Sequence, residues 1–253
     1  MSLKGRISYS TRQGLRYDQE DRLFYRKTRS IKFGGWVMAV MDGHGGARAA
    51  EVCSAIIGPL FTELCRRKNS ASPEDFLRSL VSILADKTSG FEEGSTLSIA
   101  LVLNGEDKVV VAVLGDSPVI VVDQSNAIHI SPEHNVRTNL RDRDAAIENG
   151  AEYENGYIYN KSGHGLQLSR ALGDGDMSGI LSRQPEIYVI NKPKWVVVGS
   201  DGLLDPEHGD AAGLAQQLVR LLKPKSTADQ IMDWASHRGL KDNATVVLWE
   251  RKD

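Results

Sequence analysis

Residues Trp36–Met41 read WVMAVM and run without a break into Asp42-Gly43-His44-Gly45-Gly46. A short apolar run of this kind fits a strand that is covered on both faces. Val109–Leu114 (VVVAVL), Val119–Val122 (VIVV) and Trp195–Val198 (WVVV) have the same character, and Ser98–Leu103 and Thr245–Trp249 look similar. Each is short, continuous and rich in β-branched residues. A half-solvated strand would alternate apolar with polar side chains, so these runs call for sheets with something packed on each side.

Helices supply that cover. Ala49, Val52, Cys53, Ile56, Ile57, Leu60, Phe61 and Leu64 keep the helical period without a gap. Ser72-Pro73 followed by Asp75 predicts a second helix, with Ser as N-cap and Pro in the first turn, and an apolar stripe from Phe76 to Leu84. Leu214, Leu218 and Leu221 mark a third. Thr227 and Gln230 form a capping box that opens a fourth, with Ile231, Trp234 and Ala235 inward. A further helix is expected over Thr138–Asn149. This order of elements lacks strict βαβα alternation. It predicts an α+β protein of mostly antiparallel sheets covered by helix pairs. Residues 160–183 are Gly-rich with weak periodicity and read as a flap rather than a linker. With no repeat, low-complexity tract or Pro/Ser-rich linker, residues 1–253 are expected to form one domain.

The chain carries 31 Lys+Arg against 33 Asp+Glu, a net charge of −2, with 41% apolar and 25% charged residues. These values exclude a disordered chain and argue against a general binder of nucleic acid or of anionic membranes. No stretch approaches the ~20 apolar residues of a membrane span. The N-terminus has no apolar core followed by a small-residue cleavage site, and Ser2 does not fit the N-myristoyl pattern. The expectation is a cytoplasmic protein that is not secreted, with nuclear placement left open. Cys53 and Cys65 lie on one helical pattern, roughly 18 Å apart at ~1.5 Å per residue, too far for a disulfide.

The acids sit at the strand ends. WVMAVM leads into Asp42, VVVAVL into Gly115-Asp116-Ser117, and WVVV into Gly199-Ser200-Asp201-Gly202. Asp242-Asn243 precede the last strand, and Glu20-Asp21 precede Arg22–Arg26, another expected strand. If those ends share one edge, the carboxylates converge. Several unpaired carboxylates repel one another too strongly to share a dry site alone. A cluster of hard oxygen ligands suits Mg²⁺ or Mn²⁺.

At this point the chain resembles the metal-dependent type 2C protein serine/threonine phosphatases. The matching segments, in the family's order, begin with Arg16-x-x-x-Glu20-Asp21, Asp42-Gly43-His44-Gly45-Gly46 and Gly94-Ser95-Thr96. They continue with Gly115-Asp116-Ser117, Leu168-Ser169-Arg170-Ala171-Leu172-Gly173-Asp174, Ser200-Asp201-Gly202 and Asp242-Asn243-x-Thr245. The resemblance implies an αββα sandwich of two mostly antiparallel sheets flanked by helix pairs. It implies hydrolysis of phosphoserine and phosphothreonine in protein substrates by a metal-activated water, with no phosphoenzyme. It also implies that Asp42 bridges two Mn²⁺ or Mg²⁺ ions with help from the Gly43 carbonyl, and that Asp201 and Asp242 bind metal directly. Glu20 and Asp21 then act mainly through metal-bound waters, and Asp116 with Asp201 matches a third, weaker site. Arg16 is implied to grip the substrate phosphate and His44 to protonate the leaving oxygen. The remaining histidines (His129, His134, His164, His208 and His237) carry no implied role.

Some positions depart from the family pattern. Pro118 stands where Arg is frequent, and Glu133-His134-Asn135-Val136 replaces the common Asp-His-Lys-Pro. Ala146 and Asn149-Gly150-Ala151 also differ from it. None of these is an implied metal ligand. Asp174-x-Asp176-x-Ser178-Gly179 imitates the start of an EF-hand loop, but the twelfth position is Pro185 rather than Glu. Two other readings compete: a non-catalytic binding module on the same fold, and a hydrolase of a small phosphoester. Every implied ligand position keeps its acid, which weighs against the first.

Overall fold

A computed structural model describes residues 4–30, 32–67, 71–204 and 209–252. Its elements run β1 (Lys4–Arg12), β2 (Arg22–Thr28), β3 (Gly35–Met41), β4 (Gly43–His44), α1 (Arg48–Arg67) and α2 (Pro73–Thr88). Next come β5 (Gly94–Ser95), β6 (Leu97–Leu103), β7 (Lys108–Leu114), β8 (Val119–Asp123), β9 (Ile128–Ile130) and α3 (Leu140–Glu148). Then follow β10 (Glu152–Glu154), β11 (Tyr157–Tyr159), β12 (Gly165–Leu166), β13 (Leu172–Gly173), β14 (Glu186–Asn191) and β15 (Pro193–Gly199). The chain ends with α4 (Asp201–Leu204), α5 (Ala211–Leu221), α6 (Ala228–His237) and β16 (Ala244–Lys252).

Two five-stranded sheets, ordered β1-β16-β15-β8-β9 and β14-β7-β6-β3-β2, form the centre. The strand pairs within them are antiparallel. The two-residue period of a strand explains the unbroken apolar runs. On β3, Val37, Ala39 and Met41 turn toward α1 and α2, where they meet Cys53, Ile57, Phe76 and Leu80. Their neighbours Met38 and Val40 turn the other way, into a layer shared with Val196, Val198, Val247 and Trp249 of the second sheet. Val197, Val246 and Leu248 face outward onto Ala215 and Leu218 of α5 and Ile231 and Met232 of α6. This is the expected αββα order of layers.

The helix starts follow their local chemistry. Ser72 caps α2 through its bond from the Asp75 amide, and the Thr227–Gln230 capping box opens α6. Cys53 and Cys65 are free thiols. No helix among the described residues is long and apolar enough to cross a membrane.

Several strands escape the sequence analysis. β1 and β14 are edge strands with mixed polar faces, so neither shows a clean apolar run. Residues 160–183 are more regular than expected. The expected irregular stretch includes β12, β13 and a short 3₁₀ turn at Gly175–Met177, and β12 joins β10 and β11 in a small sheet. That sheet rests on its own small core of Val136, Ala146, Ile158, Leu168 and Met177.

Trp249 is completely buried between the sheets, and a Cβ on Gly5 would stand 2.1 Å from its indole nitrogen. Trp249→Ala is expected to lower stability by about 3–5 kcal/mol in urea unfolding. A change below about 1 kcal/mol would contradict this account of the middle layer.

Candidate active site

Antiparallel pairing brings the implied ligands together. The end of β3 lies beside the start of β2, with Arg22 opposite Met41, so Asp42 adjoins Glu20 and Asp21. The end of β15 lies beside the start of β16, with Gly199 opposite Val246, so Asp201 adjoins Asp242. β6 and β7 pair from Leu97 opposite Leu114, which places Thr96 at Gly115-Asp116. These ends open on one cleft of about 270 Å³, lined among others by Arg16, Glu20, Asp42, Gly43, His44, Asp116, Asp201 and Asp242. Asp21 is buried at its base.

Short hydrogen bonds fix each turn. The Asp42 amide donates to Thr96 Oγ1 at 3.0 Å, and the Thr96 amide donates to the Asp42 carbonyl at 2.9 Å. Ser200 Oγ donates to Asp21 Oδ2 at 2.7 Å. The Asn243 side chain accepts from the Glu20 amide and donates to the Gln13 and Asp18 carbonyls. It thereby joins the Arg16 loop to the Asp242 turn. Arg16 stands at the mouth of the cleft, 57% exposed, with Nη2 donating to Asp242 Oδ2 at 2.5 Å.

The electrostatics of this cluster are unfavourable without a counter-charge. Burial raises the Asp21 carboxyl to about 6, with bonds from Ser200 and Thr245 opposing the rise. Burial, with the nearby charges of Asp21, Asp201 and Asp116, pushes Asp42 well above its ordinary value. Asp21 Oδ1 is buried with no hydrogen-bond partner. An all-oxygen donor set with an orphaned buried oxygen fits a hard divalent cation. Among the described residues no three His, Cys, Asp or Glu side chains already close around one point. A cation here would therefore draw on the Gly43 carbonyl and water as well, as Mg²⁺ commonly does.

Three partners were not assigned roles from sequence. Asp174, 1% exposed and in the left-handed region at φ 46°, meets His44 Nε2 through both carboxylate oxygens, at 2.9 and 3.0 Å. A Cβ on Gly94 would fall 2.1 Å from His44 Nε2 and 2.2 Å from Asp174 Oδ2, so glycine there lets the pair close. Arg183 holds the loop by donating to the carbonyls of Ala171, Gly173 and Asp174. Asn135 donates to Asp116 Oδ2 at 3.0 Å, which gives a purpose to one departure from the family pattern. The motif around Asp174 is visible in sequence, but nothing in a linear reading joins residues 44 and 174. Asp176 of the apparent EF-hand start is taken by His164 and Asn160, and the Asp174 carboxylate faces His44. His134 is buried and accepts from the Gly115 amide, a structural role. His208 lies outside the described residues.

The layered fold carries a carboxylate cleft at one end of its sheets. A protein phosphatase 2C family model matches residues 6–244. Probable protein phosphatase 2C 59 of Oryza sativa subsp. japonica is 30% identical over 262 residues, spanning 98% of this chain and 76% of its own. Its namesake in Arabidopsis thaliana is 29% identical, spanning 98% of this chain and 81% of its own. Among solved structures, the serine/threonine phosphatase PstP/Ppp of Mycobacterium tuberculosis superposes with a TM-score of 0.66 at 18% identity, over 98% of this chain and 99% of that one. The catalytic domain of PstP, in complex with two manganese ions, gives 0.64 at 19% identity over all of both chains. The chain belongs to the protein phosphatase 2C family, whose members are Mn²⁺- or Mg²⁺-dependent serine/threonine phosphatases.

The folded protein keeps protons on Asp21 and Asp42 that the unfolded chain has already released, so rising pH disfavours the metal-free fold. In EDTA, the melting temperature is expected to fall as pH rises from 3.8 to about 6, the interval over which Asp21 is displaced. Millimolar Mn²⁺ or Mg²⁺ is expected to reverse the fall at the upper end. Asp21→Asn should flatten the profile. A wild-type profile that is already flat and indifferent to metal would refute this account.

Proposed function

We propose that this chain acts as one catalytic domain that removes phosphate from phosphoserine and phosphothreonine in protein substrates by direct attack of water, without a phosphoenzyme. The observation that carries this reading is the meeting of Asp42, Asp116, Asp201 and Asp242 with Arg16 and His44 in one cleft. Asp42, the Gly43 carbonyl, Asp201 and Asp242 would hold two Mn²⁺ or Mg²⁺ ions, with Glu20 and Asp21 acting through water and Asp116 with Asp201 at a third site. Bound there, the ions supply an activated water at neutral pH and neutralise phosphoryl charge.

The side chains of the chain do the rest. Arg16, whose fork can bond two oxygens at once, turns from Asp242 to the phosphate and holds it at the cleft mouth. His44 delivers a proton to the departing seryl or threonyl oxygen. Asp174 accepts from His44 Nε2 and so fixes the ring and leaves Nδ1 for the substrate side. The small sheet of β10, β11 and β12 brings Tyr157 and Leu166 over the cleft as a flap. We place the protein in the cytoplasm, where signalling phosphoproteins would be its partners.

Purified protein is expected to release phosphate from a phosphothreonine peptide with Mn²⁺ or Mg²⁺ and not with EDTA. Asp201→Asn should lower kcat by roughly 10²–10³-fold with an unchanged far-ultraviolet spectrum, and full activity in that variant would remove Asp201 from the site. Asp174→Asn should lower kcat on the peptide by about 10–100-fold while sparing 4-nitrophenyl phosphate, whose acidic phenol leaves without a proton. Equal losses on both substrates would show that Asp174 does not act through His44.

A further inference from the structure

The loop between β1 and β2 carries a feature that the phosphate chemistry does not use. Among the exposed large apolar side chains of the described residues, the two that stand furthest into solvent are Tyr17, fully exposed, and Leu15, 82% exposed. They are the chain neighbours of Arg16 on either side. Single apolar residues scattered over a surface are ordinary. Two of them bracketing the arginine at the mouth of the cleft form a local pattern.

Folding gives no reason for them, because neither side chain is covered. Their backbone is nevertheless firmly held. Gln13 Nε2 donates to the carbonyls of Arg16 and Tyr17 at 2.8 and 2.6 Å. Asn243 Nδ2 donates to the carbonyls of Gln13 and Asp18 at 2.8 and 2.9 Å. Gly14, at φ +65°, sits so close to the Asp242 turn that a Cβ would come within 2.2 Å of the Asp242 carbonyl oxygen. The loop is thus ordered before any partner arrives, which lowers the entropy lost on binding. Leu166 and Tyr157, the latter 38% exposed, line the same cleft as Arg16.

We propose that Leu15 and Tyr17 dock the residues that flank the phosphorylated side chain of a protein substrate and favour apolar over charged residues there. The inference rests on the phosphatase reading above and names a substrate preference for it. The occupant follows from continuity with the cleft. A peptide whose phosphate reaches Arg16 must pass over the adjoining residues, since extended chains advance only about 3.3 Å per residue. A small phosphoester ends before it reaches them. Tyr side chains suit such contacts, because they offer a large rigid face at little loss of freedom.

The test compares a phosphothreonine peptide flanked by Leu and Phe, the same peptide flanked by Asp and Ser, and 4-nitrophenyl phosphate, all in Mn²⁺. The wild type is expected to favour the apolar-flanked peptide about tenfold in kcat/KM, through KM, as binding common to ground and transition states predicts. The Leu15→Ser/Tyr17→Ser double variant should raise KM for that peptide about tenfold, keep kcat and erase the preference. Its KM for 4-nitrophenyl phosphate should stay within about twofold of wild type. Both side chains lie in water, so the fold should persist, and far-ultraviolet circular dichroism checks this. A preference that survives the double variant would overturn the proposal. So would a wild type with no preference, the outcome expected if these residues serve a protein regulator instead. An equal rise in KM for the aryl phosphate would place the effect on Arg16 and also overturn it. Absence of turnover of all three by wild type would fail the phosphatase reading itself.

Discussion

Repulsion among carboxylates is the constraint around which this molecule is organised. Asp42, half-buried, stands beside Asp21, Asp116 and Asp201, and the charges of all three raise the energy of its ionised state. A flexible scaffold would relax by letting them part. Here each acid stands at the end of a strand whose register is set by its neighbours, and the strands are pinned by apolar layers on both faces. The two sheets hold the charges together at the expense of the metal-free fold.

The hydrogen bonds around the cluster serve the same end. Thr96 and Asn243 fix backbone turns, while Ser200 donates directly to the Asp21 carboxylate and partly offsets the cost of its burial. Asn135 takes the place that another residue type fills in the family pattern, and it secures Asp116 with a neutral amide. His44 is served differently. Its partner is a single buried carboxylate from a distant loop, held at a left-handed turn by Arg183. A ring gripped through one nitrogen presents the other in a defined direction.

The small sheet of β10, β11 and β12 and the Arg16 loop both contribute residues to the cleft, and they are held differently. The sheet has its own small core, whereas the loop hangs from Gln13 and Asn243 and is tied to the Asp242 turn.

Much of this was legible in the sequence, for a physical reason. Continuous apolar runs such as VVVAVL mark strands covered on both faces, and the helical stripes at residues 49–64 and 76–84 mark the cover, because burial on a regular backbone imposes its period on the chain. The strand-end acids Asp42, Asp116 and Asp201 were legible too, since apolar residues flank them. The polar edge strands β1 and β14 were not, because only one partner and a partly wet face constrain them. Nor could the sequence join His44 to Asp174, Asn135 to Asp116, or Arg16 to Asp242. Those pairs are 130, 19 and 226 residues apart, and hydrogen bonding leaves no periodic mark on the chain. The sequence by itself determined the layers and placed the acids at strand ends. The tertiary structure alone decided which side chains meet, because a contact between distant segments is set by the register and packing of everything between them.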